Sequence, residues 1–205
     1  MTSDRDTAAV SAHYARTAAG HAGRRGRGLA GVVRRREQAT VLELAEAWRG
    51  SRTLDVGCGD GEVAGLLLER GARVVAVDLT VAMAGVARRR GAWAVQADMQ
   101  ALPLRRAFDE VTCIGSSEFV GDLPALAQGL AECLKPGGTL VLLFPRRNWF
   151  GCALWLYHRL NGVRIHLRSR AAVTRALRAA GYAAPERWRC CAGAWVCRAR
   201  LAERR

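Results

Sequence analysis

Lysine is almost missing from this sequence: of 32 basic residues in a 205-residue chain, only Lys135 is lysine and the others are arginine. Such a skew reads first as genome composition, and no GxxxxGK[ST] pattern surrounds the single lysine, which argues against a triphosphate cradle. The seven cysteines (58, 113, 133, 152, 190, 191 and 197) form no CxxC pair and are odd in number. They are expected to be reduced core thiols, neither a disulfide framework nor a metal cluster. Long hydrophobic runs are also lacking: Leu140 to Phe144 and Trp149 to Tyr157 fall short of the ~20 residues a membrane span needs. The opening MTSDRDTAAVSAHYARTAAG has no basic-then-apolar order of a secretory signal, so a cytoplasmic location is expected. Nothing in the pattern reports an oligomeric state.

Half of the residues are hydrophobic and 24% are charged, enough for one globular core. The net charge of +14 is unevenly spread. Residues 1 to 50 carry +4, residues 51 to 145 carry −2, and residues 146 to 205 carry +12 from fourteen arginines and two acids. A basic final third could attract an anionic substrate, a phosphate backbone or a membrane surface, or be no more than a solvated face.

Periodicity lays out the elements. A helix is expected from Arg35 to Trp48, burying Val41, Leu42, Ala45 and Trp48. A strand at 53 to 56 then meets the turn Gly57-Cys-Gly-Asp-Gly61, and a helix runs toward Gly71. Strand, helix and strand follow at 73 to 77, 80 to 90 and 93 to 97, then a strand at 108 to 114, a helix at 122 to 134 and a strand at 139 to 144. Leu140, Val141, Leu142 and Leu143 are apolar without alternation, which marks a strand covered on both faces. Further helices are expected at 149 to 160 and 169 to 180, and a hairpin of 186 to 191 and 194 to 201 joined at Ala192-Gly193. The fold class is therefore α/β, a Rossmann-like three-layer sandwich with a mostly parallel seven-stranded sheet ending in an antiparallel hairpin. Residues 1 to 34 read as an N-terminal arm or cap, whose Gly- and Arg-rich stretch 18 to 31 is expected to be mobile; 35 to 205 read as the main domain, with a substrate-lid insertion at 145 to 168.

Ligands in such sheets sit at the carboxyl ends of the strands. There Gly57, Gly59 and Gly61 permit a sharp turn and close approach, and Asp78 can accept hydrogen bonds from ribose hydroxyls. The order G-C-G-D-G-E is not the dinucleotide GxGxxG, and Asp60 and Glu62 would repel a pyrophosphate. A cofactor with an amino group and a sulfonium centre suits these acids better. Each residue also has a plain structural reading: the glycines as turn residues, Asp78 and Asp98 as caps, Asp55 as a loop acceptor.

LDVGCGDGEVA at 54 to 64, VVAVDLT at 74 to 80, QADMQALPL at 96 to 104, FDEVTCIGSSEF at 108 to 119 and LKPGGTLVLL at 134 to 143 together resemble the successive motifs of class I S-adenosylmethionine-dependent methyltransferases, methyltransferase type 11-like and of the small-molecule branch. The resemblance implies S-adenosyl-L-methionine as cofactor. It implies that Asp55, Gly57, Cys58, Gly59 and Gly61 surround the methionine end, that Asp78 holds the ribose and that Leu79 packs on adenine. It implies further that Asp98 accepts from the adenine amino group with Met99 offering its backbone, and that carbonyls at Cys113, Ile114 and Gly115 receive the ammonium group.

After the fourth strand stands Gly115-Ser-Ser-Glu-Phe119, where amine-directed DNA enzymes of this family carry [N/D]PP[Y/F], and no cysteine follows a proline as in 5-methylcytosine enzymes. The acceptor is thus expected to be small and apolar or anionic. Its pocket is expected from the arm (His13, Tyr14, His21), the loop with Ser116 and Glu118, and the segment with Trp149 and Trp155. Tyr157, His158 and His166 are the candidate acid or base groups. The helix at 149 to 160 reads as a lid, a core helix or a peripheral membrane contact. Two other functions stay open: an RNA or protein methyltransferase with Arg-rich flanks on a polyanion, and a non-catalytic cofactor-binding subunit. No metal-ligand spacing is present.

Overall fold

The computed structural model describes residues 4–25, 28–46, 48–191 and 193–203. Seven strands form one sheet in the order β3-β2-β1-β4-β5-β7-β6, with β1 Arg52–Val56, β2 Arg73–Asp78, β3 Trp93–Gln96, β4 Phe108–Ile114, β5 Leu134–Pro145, β6 Arg187–Cys190 and β7 Ala194–Arg200. β1 to β5 are parallel, β7 is antiparallel to β5, and β6 is antiparallel to β7. The expected architecture is the one observed; Ala192 in the hairpin join lies outside the described residues.

β5 accounts for the three layers. Leu140, Leu142 and Phe144 pack on one face with α5 (Leu123–Cys133) and α7 (Arg170–Ala179), while Val141 and Leu143 pack on the other with Val41 and Leu44 of α2 (Gly28–Leu44). Each fully buried leucine contributes ~2 kcal/mol of hydrophobic stabilisation. α3 (Glu62–Glu69) and α4 (Val81–Arg89) cover the other half of that second face through Ala64, Leu67, Ala84 and Ala87. Side-chain oxygens of Thr80, Asp122 and Ser169 accept from backbone N–H groups at the starts of α4, α5 and α7.

The N-terminal third departs from expectation. The stretch read as an arm or cap is helical: the chain forms α1 (Asp4–Arg25) and then α2 from Gly28, with residues 26 and 27 outside the described set. Seven alanines in α1 supply helix propensity that outweighs its two glycines. α2 starts seven residues before the expected helix and stops at Leu44, so Trp48 falls in a turn, 56% exposed, instead of on the buried face. Among the described residues no helix is long and apolar enough to cross a membrane.

Candidate functional site

The strand order turns outward in both directions from β1 and β4, and a cavity opens at the carboxyl ends of β1, β2 and β4. Its floor is the loop after β1. The Gly57 and Cys58 N–H groups both donate to the Val77 carbonyl, at 2.8 and 3.0 Å, which ties this loop to β2. Gly57 has a φ of 69°, and a Cβ on it would stand 2.4 Å from Ser116 Cβ, so only glycine lets β1 and the loop after β4 approach this closely. Ser116 is fixed in turn by donating to the Val56 carbonyl at 3.0 Å.

Two carboxylates hold the site's electrostatics. Asp55 is buried at the end of β1, where its Oδ1 accepts from the Thr112 hydroxyl at 2.7 Å and its Oδ2 has no hydrogen-bond partner. Burial, and then the neighbouring Asp78 charge, push the Asp55 pKa up to about 6, against the lowering effects of the Thr112 hydroxyl and the Ala64 N–H. Asp78 accepts from the Gly59 N–H at 2.9 Å through Oδ2, and from the Thr80 N–H and hydroxyl at 2.9 and 3.1 Å through Oδ1. Burial raises its pKa while those donors oppose the rise. Asp78 therefore fixes two loops itself and keeps unused acceptor capacity toward the cavity, since a carboxylate offers about four lone-pair sites.

The structure brings together most of the residues expected at the cofactor. Asp55, Gly57, Cys58, Gly59, Asp78, Leu79, Asp98, Met99, Ile114 and Gly115 all line the cavity, as do Tyr14 and Ser116 from the expected acceptor pocket. Gly61 and Cys113 do not. Gly61 begins α3 with a φ of 74°, and a Cβ there would meet Ala87 Cα at 2.7 Å, so its smallness serves the packing of α3 on α4. Cys113 is fully buried behind Ser116, with Sγ 3.3 Å from Ser116 Oγ, and burial raises its thiol pKa.

Helices α1 and α2 supply the walls that sequence reasoning largely missed. Thr7, Val10 and Tyr14 line the cavity from α1 at three- and four-residue spacing, a helical face that was readable in the sequence. Arg34, Glu37 and Gln38 line it from α2. The Arg34 guanidinium pairs with Glu62 and with Asp60, the latter at 3.3 Å, offsetting the acids of the glycine turn. Burial would raise the Glu62 pKa, but Gln38 and Arg34 outweigh it and hold that carboxyl below its usual range. No local pattern marked Arg34.

The remaining expected residues lie elsewhere. His158, in α6 (Trp149–Leu160), is buried in an aromatic cluster, with its ring 5.4 Å from Phe119 and 5.9 Å from His13. Tyr157 flanks the same cluster, 6.4 Å from His13, with half its surface exposed. Phe119 and Tyr14, whose rings meet at 5.6 Å, reach from this cluster to the cavity wall. His166 and Trp155 line a separate open groove, where burial and then Arg168 and Arg164 lower the His166 pKa. Trp149 is 71% exposed and stacks on Phe150. Glu118, in the short helix Ser117–Phe119, is buried beside Gly115, its Oε1 4.0 Å from the point a Cβ on Gly115 would occupy. Arg168 donates to the Ser117 carbonyl at 2.9 Å and to that of Val120, clamping this turn. The His21 side chain lies outside the described residues. No group of three or more His, Cys, Asp or Glu stands in a metal-holding arrangement among the described residues.

A β3-β2-β1-β4-β5-β7-β6 sheet with a glycine loop, a ribose-spaced acid and this cavity is the class I, Rossmann-like methyltransferase architecture. The chain belongs to the methyltransferase-domain family, whose model matches residues 30–186. It is 38% identical over 118 residues to a ubiquinone biosynthesis O-methyltransferase of Xanthomonas euvesicatoria pv. vesicatoria (strain 85-10), covering 54% of this chain and 48% of that protein. A protein of the same description from Idiomarina loihiensis (strain ATCC BAA-735 / DSM 15497 / L2-TR) is 36% identical over 107 residues, 48% of this chain and 44% of that one. The chain thus spans about half the length of the curated relatives it matches. Among solved structures, magnesium protoporphyrin IX methyltransferase from Synechocystis PCC 6803, with bound SAH, superposes with a TM-score of 0.79 at 20% identity, covering 96% of this chain and 100% of that one. Geranyl diphosphate C-methyltransferase from Streptomyces coelicolor A3(2) gives 0.72 at 16% identity over 82% and 79%. At these identities the two structures establish the fold.

Proposed function

We propose that the protein transfers the methyl group of S-adenosylmethionine to a small, largely apolar acceptor, and that the accepting atom is an oxygen, as the name of the ubiquinone biosynthesis relatives suggests. The observation that carries the reading is that one cavity is lined both by the glycine loop with Asp55, Asp78 and Asp98 and by the apolar and aromatic side chains of Val10, Tyr14, Phe119 and Val120. The residues present suit the cofactor. The buried Asp55 carboxylate lines the cavity and keeps acceptor capacity for a donor such as an ammonium group, and the Cβ-free surface at Gly59, with nothing within 4 Å, admits a ligand against the backbone.

When bound, the cofactor supplies a methyl carbon on a sulfonium, open to in-line displacement. The chain's own contribution is alignment and exclusion of water, worth several orders of magnitude in rate when the reacting atoms are held near contact distance. Asp78 and Asp98 position the nucleoside, Tyr14 and Val10 cover the cavity from α1, and Phe119 and Val120 bound the acceptor. A hydroxyl acceptor must lose its proton, which passes to solvent; Glu118, buried beside Gly115 and not among the residues that line the cavity, is assigned to holding the Ser117–Phe119 turn. His158 is assigned to positioning, because its ring supports Phe119 from behind.

The test is incubation with methyl-labelled S-adenosylmethionine and a panel of apolar phenols, carboxylic acids and amines, with a bulk RNA preparation alongside. Label in one or more phenols, and in neither the amines nor the RNA, is the expected result. Label in RNA alone would replace this reading with a polyanion substrate, and binding without any transfer would favour a non-catalytic subunit.

A further inference from the structure

We propose that α6 is an interfacial helix that seats the protein on an anionic lipid bilayer. Of the nine large hydrophobic side chains exposed on the described surface, five (Trp149, Trp155, Leu156, Tyr157 and Leu160) belong to this one helix, with Trp149 at 71% and Leu160 at 78%, while Val32, Trp48, Val81 and Trp93 stand singly elsewhere. Three of them are aligned. Trp149, Leu156 and Leu160 stand at i, i+7 and i+11 and share one face, whereas the buried Gly151 and His158, also seven apart, share the opposite one. A helix anchored by one face and apolar on the other exposes a stripe that water disfavours, and such contiguous stripes mark an interaction surface.

Charge complementarity decides what covers it. Arg147, Arg159 and Arg164 line the open groove flanking this stripe against one acid, Asp6, and none of the three arginines takes part in an ion pair among the described residues. Trp155 lies in the same groove with the Arg159 guanidinium 5.7 Å over its ring. Apolar side chains bordered by tryptophan and by unneutralised arginines match the boundary between acyl chains and anionic headgroups. The stripe lies close to the cavity as well. His158, on the inner face of α6, touches Phe119, which lines the cavity wall, so the helix that carries the stripe packs directly on a residue of that wall. The inference concerns where the protein docks and stands independently of what the cavity transfers.

The experiment is sedimentation of the full chain with vesicles of phosphatidylglycerol and phosphatidylcholine mixed equally, and with phosphatidylcholine alone, at low and high salt. Pelleting with the anionic vesicles at least tenfold above the neutral ones, weakened by salt, is expected. The triple change Trp149→Ser, Leu156→Ser, Leu160→Ser should lower it at least tenfold, and Arg159→Gln with Arg164→Gln several-fold, with circular dichroism unchanged because these side chains are exposed. Wild-type protein that stays in the supernatant, or pellets equally with both vesicles, overturns the proposal. So does a concentration-dependent dimer, abolished by the triple change, in protein that binds no vesicle, since a second copy would then be what covers the stripe.

Discussion

Gly57→Ala would place a methyl 2.4 Å from Ser116 Cβ, 2.6 Å from Ser116 Oγ and 3.2 Å from Met99 Cε, on a backbone with φ of 69°. Two separate costs follow. Holding an L-residue in the left-handed region costs ~1–2 kcal/mol, and forcing an extra carbon into a packed site costs typically ~1–3 kcal/mol. Gly59→Ala provides the internal comparison: its φ is 54°, but a Cβ there meets nothing within 4 Å, so only the first cost applies. The two variants should therefore differ by roughly 1–3 kcal/mol in urea denaturation, with Gly57→Ala the less stable. The clash has a functional side, because moving Ser116 breaks its hydrogen bond to Val56 and shifts the loop that joins the cofactor end of the cavity to Phe119. S-adenosylhomocysteine affinity should fall at least tenfold in Gly57→Ala. Equal stabilities for the two variants would refute the close approach of these loops.

Three further outcomes are expected. Asp55, with its pKa raised from 3.8 to about 6, must be ionised to receive a cationic donor, so cofactor affinity should fall up to tenfold per pH unit below pH 6; affinity that is flat from pH 5 to 7.5 by calorimetry would contradict this. Glu110 is fully buried under the amino end of the sheet, accepts from the Glu46 N–H at 2.6 Å, and has its pKa pushed from 4.5 to about 7, mainly by burial. Because the folded state then binds the proton more tightly than the unfolded one, this group's stabilisation is complete below pH 4.5 and is lost as pH rises to 7. The loss amounts to ~3 kcal/mol at most, and Glu110→Gln should flatten the profile between pH 5 and 8, which melting curves across that range would check. Tyr14→Ala removes a cap from the cavity, and it should raise the acceptor's KM severalfold with little change in melting temperature; an unchanged KM would show that α1 does not close the site.

How far the sequence could be read depended on whether a residue's task was local. The strands and their turns were legible because each rests on short-range chemistry: the unbroken apolar run of β5, Thr80 and Ser169 as caps, and positive-φ glycines after β1. The same applies to the acids that end β1 and β2. Gly61 shows the limit, since a glycine that serves helix packing and one that serves a ligand are identical in one dimension. Arg34 enters the cavity only because α2 packs across α3, a long-range fact with no sequence spacing. The helix at 149 to 160 was legible as a helix, but the choice among lid, core helix and membrane contact was not, since which of its apolar faces finds a partner depends on where Phe119 and α1 stand.

The account rests most heavily on the cavity at β1 and β2 being a cofactor site. Isothermal titration of the purified protein with S-adenosylmethionine and S-adenosylhomocysteine, repeated on Asp78→Ala after its fold has been checked by circular dichroism, tests that directly. Micromolar binding by the wild type, weakened at least tenfold by the substitution, is the result expected. Absence of any binding heat with folded wild-type protein would contradict the account, leaving the glycine loop and its acids as structural elements alone.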